Sequence, residues 1–140
     1  MKILVAVDGS PYTKRMLAYL AAHDEWLGPA QNYTVLHVVP ALPPRAVAVL
    51  DRSTLNAYYA DEEDKVLKTI RNFFGKQGLQ AEYLGKVGDV ADVISSVAKK
   101  GKFDLLMMGS HGHGTLGNLV MGSVTTKVMA QCEVPVLVVR

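Results

Sequence analysis

The sequence contains little cysteine, no excess of charge of either sign and no long hydrophobic run. Its single cysteine, Cys132, excludes a disulfide within the chain and fits a reducing compartment. The formal net charge of +2 is too small to indicate binding to nucleic acid or to an anionic membrane. No apolar run approaches the ~20 residues that span a bilayer, and the apolar stretch before Asp8 is too short for a signal peptide. We therefore expect a cytoplasmic protein that neither binds nucleic acid nor inserts into a membrane.

The length and composition are those of a small globular domain. A chain of 140 residues has the size of one domain and can bury roughly 70% of its unfolded surface. The apolar fraction of 49% and the charged fraction of 20% are ordinary for such a domain. Since no linker, repeat or low-complexity segment interrupts the chain, we expect a single domain over residues 1–140.

Short apolar runs alternate with longer segments of helical periodicity along the whole chain. The runs predicted to be strands are Ile3–Val7, Tyr33–Val39, Ala81–Lys86, Phe103–Met108 and Val136–Val139. This alternation predicts an α/β fold, in which one open five-stranded parallel sheet carries helices on both faces. With right-handed crossovers we expect a Rossmann-like sheet with the strand order 3-2-1-4-5.

Helix signals between the strands are clear in some places and weak in others. Ser10 is a predicted N-cap with Pro11 at the first helical position, and this helix should end near Gly28. Asp89 is a second predicted N-cap. The proline-rich stretch Pro40–Arg52 is predicted to be irregular.

A glycine-rich loop joins the fourth strand to the last helix, Ser123–Gln131. Its sequence, GSHGHGTLGNLVMGSV, contains five glycines within residues 109–124. Open α/β sheets bind ligands beyond the carboxyl ends of their strands. Glycines let main-chain amides approach phosphate oxygens closely, and a helix start favours anions. The loop is therefore a candidate anion site, and Lys127 is the only Lys or Arg from Gly109 to Gln131.

Two familiar nucleotide motifs match this loop only superficially. Residues 112–117 spell G-x-G-x-x-G, but that fingerprint belongs after the first strand, with an acidic residue about 20 positions further on. Here it follows the fourth strand, and position 137 is Leu. Residues 117–123 approach a P-loop, but Ser123 stands where the P-loop lysine is needed. Both motifs are rejected.

The spacing Gly109-x2-Gly112-x9-Gly122-Ser123 fits a different pattern. Together with KILVAVDGS at the start, LHVV in the second strand, the GKVGD segment and the closing CEVPVLVVR, it resembles the nucleotide-binding branch of the universal stress protein family. The resemblance extends over essentially the whole chain. It implies a fold of the adenine nucleotide alpha hydrolase type.

The resemblance also implies a ligand and its contacts. The ligand would be ATP or another adenine nucleotide, with Mg²⁺ on its phosphates; ADP, AMP and a cyclic nucleotide remain alternatives. The adenosine part would be held by Asp8 and the Val38 main chain, with Ala6 nearby. The ribose would lie between Met108 and Gly109. The phosphates would be held by amides and a hydroxyl of Gly112, Gly122, Ser123 and Val124.

Several of these residues also have a plainer structural explanation. Asp8 can simply cap the first turn, and His37 fits a buried core histidine. His111 and His113 suggest a metal by their spacing, but a zinc site needs three or four ligands, so they are better explained as loop spacers. The glycine run itself can also be a flexible turn.

Two segments between the second strand and the second helix bear on the pocket. The apolar stretch Ala46–Leu50 is a candidate mobile wall beside the adenine. Tyr58 and Tyr59, with the acidic cluster of residues 61–64, resemble an exposed helix start.

Three functions are compatible with this chain. The first is a regulator or sensor whose conformation or partner choice depends on ATP. The second is an ATP hydrolase, slow or partner-dependent because the loop offers Asp8, His111 and His113 but no arginine. The third is a dimerising interaction protein that uses no nucleotide. We identify no catalytic residue, and expect a homodimer in which the exposed edge strand Val136–Val139 pairs with its two-fold mate.

Overall fold

The computed structural model describes residues 1–114 and 120–140. Its strands are β1 (Lys2–Ala6), β2 (Asn32–Pro40), β3 (Ala81–Gly88), β4 (Leu105–Gly109) and β5 (Val136–Val139). The described helices are α1 (Pro11–Ala22), α2 (Asp24–Leu27), α3 (Pro44–Val49), α4 (Arg52–Lys76), α5 (Val90–Lys100) and α6 (Ser123–Gln131). All strand pairs are parallel, and the order β3-β2-β1-β4-β5 confirms the predicted sheet.

Both faces of the sheet are buried, which explains why the central strands are continuous apolar runs rather than alternating ones. Successive β1 residues point to opposite faces. Ile3 and Val5 pack with α1 and α4, for example against Met16 and Phe74. Leu4 packs on the opposite side with residues of α5 and α6. The two apolar cores fix β1 and β4 in the centre of the sheet.

The predicted helix starts at Ser10 and Asp89 are confirmed. The Ser10 side chain accepts a hydrogen bond from the Thr13 N–H at 3.4 Å, and Pro11 is the first helical residue. The Asp89 carboxylate accepts from the Asp92 N–H at 3.0 Å. Both caps begin helices directly after a strand and thereby place their first turns at the carboxyl edge of the sheet.

Three helix boundaries differ from the prediction. The first helix ends at Ala22 rather than near Gly28, and α2 follows as a separate short helix after His23. The stretch Pro40–Arg52 is irregular only in part, because residues 44–49 form α3 with Pro44 at its first position, where the fixed φ of proline favours a helix.

Helix α4 is also longer than the apolar periodicity indicates. It begins at Arg52, where Asp51 accepts a hydrogen bond from the Thr54 N–H at 2.6 Å. This bond is the main reason why the pKa of the exposed Asp51 carboxyl is lowered. Tyr58 and Tyr59 therefore lie within the helix rather than at its start.

None of the helices in residues 1–114 and 120–140 is long and apolar enough to cross a membrane.

Candidate functional site

A cavity of about 530 Å³ opens at the carboxyl edge of the sheet, where β1 lies between β2 and β4. This is the point at which the strand order reverses, the usual ligand position in open α/β sheets. The cavity is lined by all the predicted site residues: Ala6, Asp8, Val38, Met108, Gly109, Gly112, Gly122, Ser123 and Val124. The fold thus brings together residues that are up to 118 positions apart in the sequence, from position 6 to position 124.

Asp8 combines a structural role with exposure to the cavity. One carboxylate oxygen, Oδ1, accepts hydrogen bonds from the Ser10 N–H at 2.9 Å and from the Thr13 hydroxyl at 2.8 Å. The other oxygen, Oδ2, lies 2.8 Å from the position that a Cβ atom added at Gly112 would occupy. Asp8 therefore holds the first turn through Oδ1, while Oδ2 lies beside the loop at Gly112.

On one side of the cavity, β1 separates from β2 just after Val7. The Val7 N–H still donates to the Leu36 carbonyl at 2.9 Å, as a continuing parallel ladder requires. The Val7 carbonyl, however, accepts from the Nδ1 atom of His37 at 2.8 Å. The predicted core histidine is confirmed as buried, with 8% of its surface exposed, and it also lines the cavity.

On the other side, β1 separates from β4 in a similar way. The Asp8 N–H donates to the Thr13 hydroxyl at 3.1 Å, and the Gly109 carbonyl accepts from the Thr125 hydroxyl at 2.9 Å. Both threonines are buried. Since a buried main-chain group left without a partner is costly, these side chains stabilise the gap between the strands.

The glycines of the loop have different neighbours. A Cβ atom added at Gly109 would lie 2.8 Å from the Tyr12 Cβ atom, so this glycine permits close packing between β4 and α1. Added at Gly122, it would lie 3.1 Å from the His111 Cα atom. Added at Gly114, it would meet no described atom within 4 Å. Gly109 and Gly122 therefore permit close packing against neighbouring segments, and Gly112 leaves room for the Asp8 carboxylate.

The start of α6 presents main-chain amides to the cavity. Gly122 is the N-cap, and its carbonyl accepts from the Thr126 N–H at 3.0 Å. Its own N–H donates to the Ser110 carbonyl at 2.7 Å, so this amide is already engaged, contrary to the phosphate contact that the resemblance implies for Gly122. Ser123 and Val124 occupy the first helical positions, whose amides have no partner within a helix.

The two loop histidines hold the loop rather than standing free as spacers. The His111 ring packs against Tyr12 at an interplanar angle of 37° with the ring centres 4.8 Å apart, and its Nδ1 atom lies 2.9 Å from the Ser110 hydroxyl. The Nε2 atom of His113 donates to the Asp8 carbonyl, 2.6 Å away. Within residues 1–114 and 120–140, no three His, Cys, Asp or Glu side chains are placed to hold a metal ion.

The cavity contains carboxylates but few cations. Asp8 and Glu62 line it, and no Lys or Arg is among the described residues that do. Lys127 lies in an adjoining depression of about 470 Å³, which shares Ser123 and Val124 with the cavity. An anion bound here would therefore depend on amides, hydroxyls and the helix dipole.

Lys127 is held by two carboxylates next to the start of α6. Its ammonium lies 3.1 Å from Asp89 and 3.3 Å from Asp92. The hydrogen bond that Lys127 donates to Asp89 is the largest cause of the raised pKa of Lys127. The pKa of Asp89 is lowered mainly by the Asp92 N–H and then by Lys127. All three side chains are about half exposed, so the pairs contribute little to stability.

Sequence reasoning missed one wall of the cavity and placed another wrongly. The missed wall comes from α4, where Tyr58, Glu62 and Val66 line the cavity. Their spacing of four residues puts them on one helix face. The sequence contains this spacing, but it becomes informative only once the helix is known to start at Arg52. No residue of Ala46–Leu50, the expected wall, lines the cavity; the neighbouring loop residues 40–42 do so instead. The loop residues 115–119 lie outside the described residues.

A larger, open groove of about 1380 Å³ runs along β3 and α5. It ends at residues that precede the strands, such as Gln31 and Phe103. It therefore reaches the amino edge of the sheet, the edge opposite to the one where ligands of open α/β sheets bind. The smaller cavity is the better candidate site.

Comparison with known proteins gives a consistent picture. A family model described as "Universal stress protein family" matches residues 1–140. A universal stress protein of Synechocystis is 30% identical over 139 residues, which is 99% of this chain and 42% of that protein. The chain thus spans less than half of that relative. A universal stress protein of Thermus aquaticus is 31% identical over 138 residues, covering 99% of this chain and 97% of the relative.

Solved structures share the fold. The hypothetical protein MJ0577 of Methanocaldococcus jannaschii superposes with a TM-score of 0.79 at 26% identity, over 99% of this chain and 94% of that one. A universal stress protein family member from Arabidopsis thaliana, crystallised with AMP bound, has a TM-score of 0.70 at 19% identity, over 99% of this chain and 90% of that one. At this identity the second likeness concerns the fold alone.

Proposed function

Because this chain belongs to the universal stress protein family, we propose that it binds an adenine nucleotide, foremost ATP with Mg²⁺, and acts as a cytoplasmic regulator in the stress response. The observation that carries the proposal is the convergence on one cavity of nine residues from β1, β2, β4, α6 and the loops that follow β1 and β4. The AMP bound to the Arabidopsis protein of the same fold supports the choice of ligand.

The main chain of Val38 supports adenine as the base. Alternate residues of a strand direct their N–H and C=O groups to opposite neighbours, and the Leu36 carbonyl already bonds to Val7 of β1. The main-chain N–H and C=O groups of Val38 therefore point to the same side as the Leu36 carbonyl. At this level β1 has already turned away, so the groups are left open. Its N–H can donate to a ring nitrogen of adenine while its carbonyl accepts from the exocyclic amine. Guanine presents an acceptor and a donor in the opposite order, which leaves groups unpaired.

The start of α6 suits the phosphates. The amides of Ser123 and Val124 and the Ser123 hydroxyl are available donors at the positive end of a helix dipole. Asp8 and Glu62 are the carboxylates among the described lining residues. Since the described residues gather no set of three metal ligands, Mg²⁺ would be carried mainly by the phosphate oxygens. Bound Mg²⁺ neutralises phosphate charge. The described residues of the cavity include no Lys or Arg that could do so.

We expect binding without efficient turnover. Hydrolysis needs a positioned water and neutralisation of the charge that develops on the leaving phosphate, and no Lys or Arg is among the described residues of the cavity. Calorimetry should give a dissociation constant for Mg-ATP, with GTP at least about tenfold weaker. Phosphate release should stay at the level of a Gly122→Val variant. The absence of any adenine nucleotide binding at millimolar concentration would refute the proposal.

We also propose that the protein is a homodimer through β5. The Leu106 N–H bonds to the Pro135 carbonyl, and the Ser110 N–H bonds to the Val139 carbonyl, so residues 135, 137 and 139 face β4. The main-chain groups of Val136 and Val138 therefore face outward along an apolar edge, which invites pairing.

The Val138→Pro variant tests this dimer. It removes an outward N–H without touching the bonds to β4, and proline is tolerated on edge strands. We expect the variant to sediment as a folded monomer at micromolar concentration, while Val138→Ala, which keeps the N–H, stays dimeric. A monomeric wild-type protein under the same conditions would contradict the proposed dimer.

A further inference from the structure

We propose that His37 is a positioning residue that keeps the main chain of Val38 open for the base of the ligand. The inference rests on the proposed function and explains how the fold creates the base-binding edge of the cavity. The carrying observation is the 2.8 Å hydrogen bond between the His37 Nδ1 atom and the Val7 carbonyl.

The register of β1 and β2 shows what this bond replaces. Ala6 pairs with Leu36 in the parallel ladder, and the Val7 N–H donates to the Leu36 carbonyl. The next bond of a regular parallel ladder would run from the Val38 N–H to the Val7 carbonyl. That carbonyl instead accepts from His37, and no bond from the Val38 N–H to it is formed. The imidazole thus takes the place of a main-chain donor at the last rung.

The exchange of donors has a consequence for the cavity. Without His37, the Val7 carbonyl would be a buried acceptor, since Val7 has only 5% of its surface exposed, and leaving it unpaired is unfavourable. The nearest replacement is the Val38 N–H, one ladder step away. Closing that bond would remove the donor that faces the adenine and would draw β1 towards β2. His37 therefore satisfies Val7 while leaving Val38 free.

The chemistry of the bond suggests a conservative replacement. A carbonyl oxygen can only accept, so Nδ1 of His37 carries the hydrogen. In asparagine, the amide nitrogen stands at the same number of bonds from Cβ as Nδ1 does in histidine, so His37→Asn retains the donor. His37→Leu is of similar bulk but has no donor. The two variants differ chiefly in the group that the inference invokes.

The experiment compares both variants with the wild-type protein in two measurements. Calorimetry with Mg-ATP and Mg-GTP gives affinity and base discrimination, and hydrogen exchange of the ¹⁵N-labelled protein without ligand follows the Val38 amide. For His37→Leu we expect about tenfold weaker ATP binding, with the preference over GTP largely lost, and slower exchange at Val38 than in the wild type. For His37→Asn we expect affinity within about threefold of the wild type and a Val38 amide that exchanges as in the wild type.

The two measurements distinguish a failure of this inference from a failure of the proposed function on which it rests. If the wild-type protein binds no nucleotide, the proposed function is wrong, yet the exchange of Val38 still tests whether His37 holds the strand end open. If the wild type binds ATP but His37→Leu keeps its affinity, its discrimination and its Val38 exchange, the inference is overturned. A loss shared equally by both variants, with both folded by circular dichroism, would also overturn it.

Discussion

Replacing Gly122 with valine is expected to weaken Mg-ATP binding by about 30-fold or more while leaving the protein folded. A Cβ atom at this position would lie 3.1 Å from the His111 Cα atom and 3.4 Å from the Ser110 carbonyl. Relief of these contacts must move the loop or the start of α6, where the Ser123 and Val124 amides would grip phosphate. Charge-assisted bonds of this kind contribute about 1.5–3 kcal/mol each, so misplacing them costs at least about 2 kcal/mol of binding.

The matched control for this experiment lies on the same loop. Gly114 lines the same cavity, but an added Cβ there meets no described atom within 4 Å, so Gly114→Val adds the same bulk without displacing the start of α6 and should bind ATP within about threefold of the wild type. The backbone of Gly122, with φ −72° and ψ 167°, is open to valine, so its variant should fold. Calorimetry on both variants gives the comparison. Unchanged ATP affinity in Gly122→Val would refute the phosphate loop, and an equal loss in Gly114→Val would attribute the effect to general stiffening of the loop.

The sheet was predictable because its signal is local and repeated. Ile3 to Val7 is apolar at every position, which only a strand covered on both faces requires. Ser10 before Pro11 and Asp89 before Val90 are caps whose chemistry acts within four residues. Signals of this range can be recognised in the sequence without knowledge of the tertiary structure.

The helix boundaries that were missed depend on choices between local alternatives. Pro44 breaks a helix in its middle but starts one at its first position, and the sequence around it allows both. From the sequence alone, Asp51 can be a helix N-cap or an ordinary surface residue. The choice is decided by the hydrogen bond from the Thr54 N–H, which exists only when Thr54 lies in a helix. Because the start of α4 could not be predicted, Tyr58 and Glu62 were not identified as cavity residues.

The residues that make up the candidate site could be predicted, but the role of each residue could not. The family resemblance implied which residues gather, and all of them line the cavity. It did not show that Gly109 packs against Tyr12, or that the Gly122 amide is bound to Ser110. Nor did it show that His37 replaces a ladder bond. These roles depend on where β1 leaves its neighbours, which is a property of the packed sheet.

The close packing at Gly109 leads to a second large effect, on stability. Gly109→Ala is expected to lower the free energy of unfolding by about 2–3 kcal/mol, the upper part of the range of about 1–3 kcal/mol for overpacking a core. The added Cβ would lie 2.8 Å from the Tyr12 Cβ atom and 3.2 Å from its carbonyl carbon. Because one of these atoms is main chain, α1 must move away from β4 as a whole. Urea unfolding followed by circular dichroism measures the change.

The same substitution at Gly75 should have the opposite sign. Gly75 lies in α4, and a Cβ atom there would meet no described atom within 4 Å. Alanine favours a helix over glycine by up to about 1 kcal/mol, so Gly75→Ala should raise the unfolding free energy by roughly half of that or more. If Gly109→Ala unfolds within about 0.5 kcal/mol of the wild type, which is the scatter of neutral surface changes, then α1 and β4 are not in the close contact described. A loss of ATP binding by that equally stable variant would instead make Gly109 a ligand glycine, as the family resemblance implies.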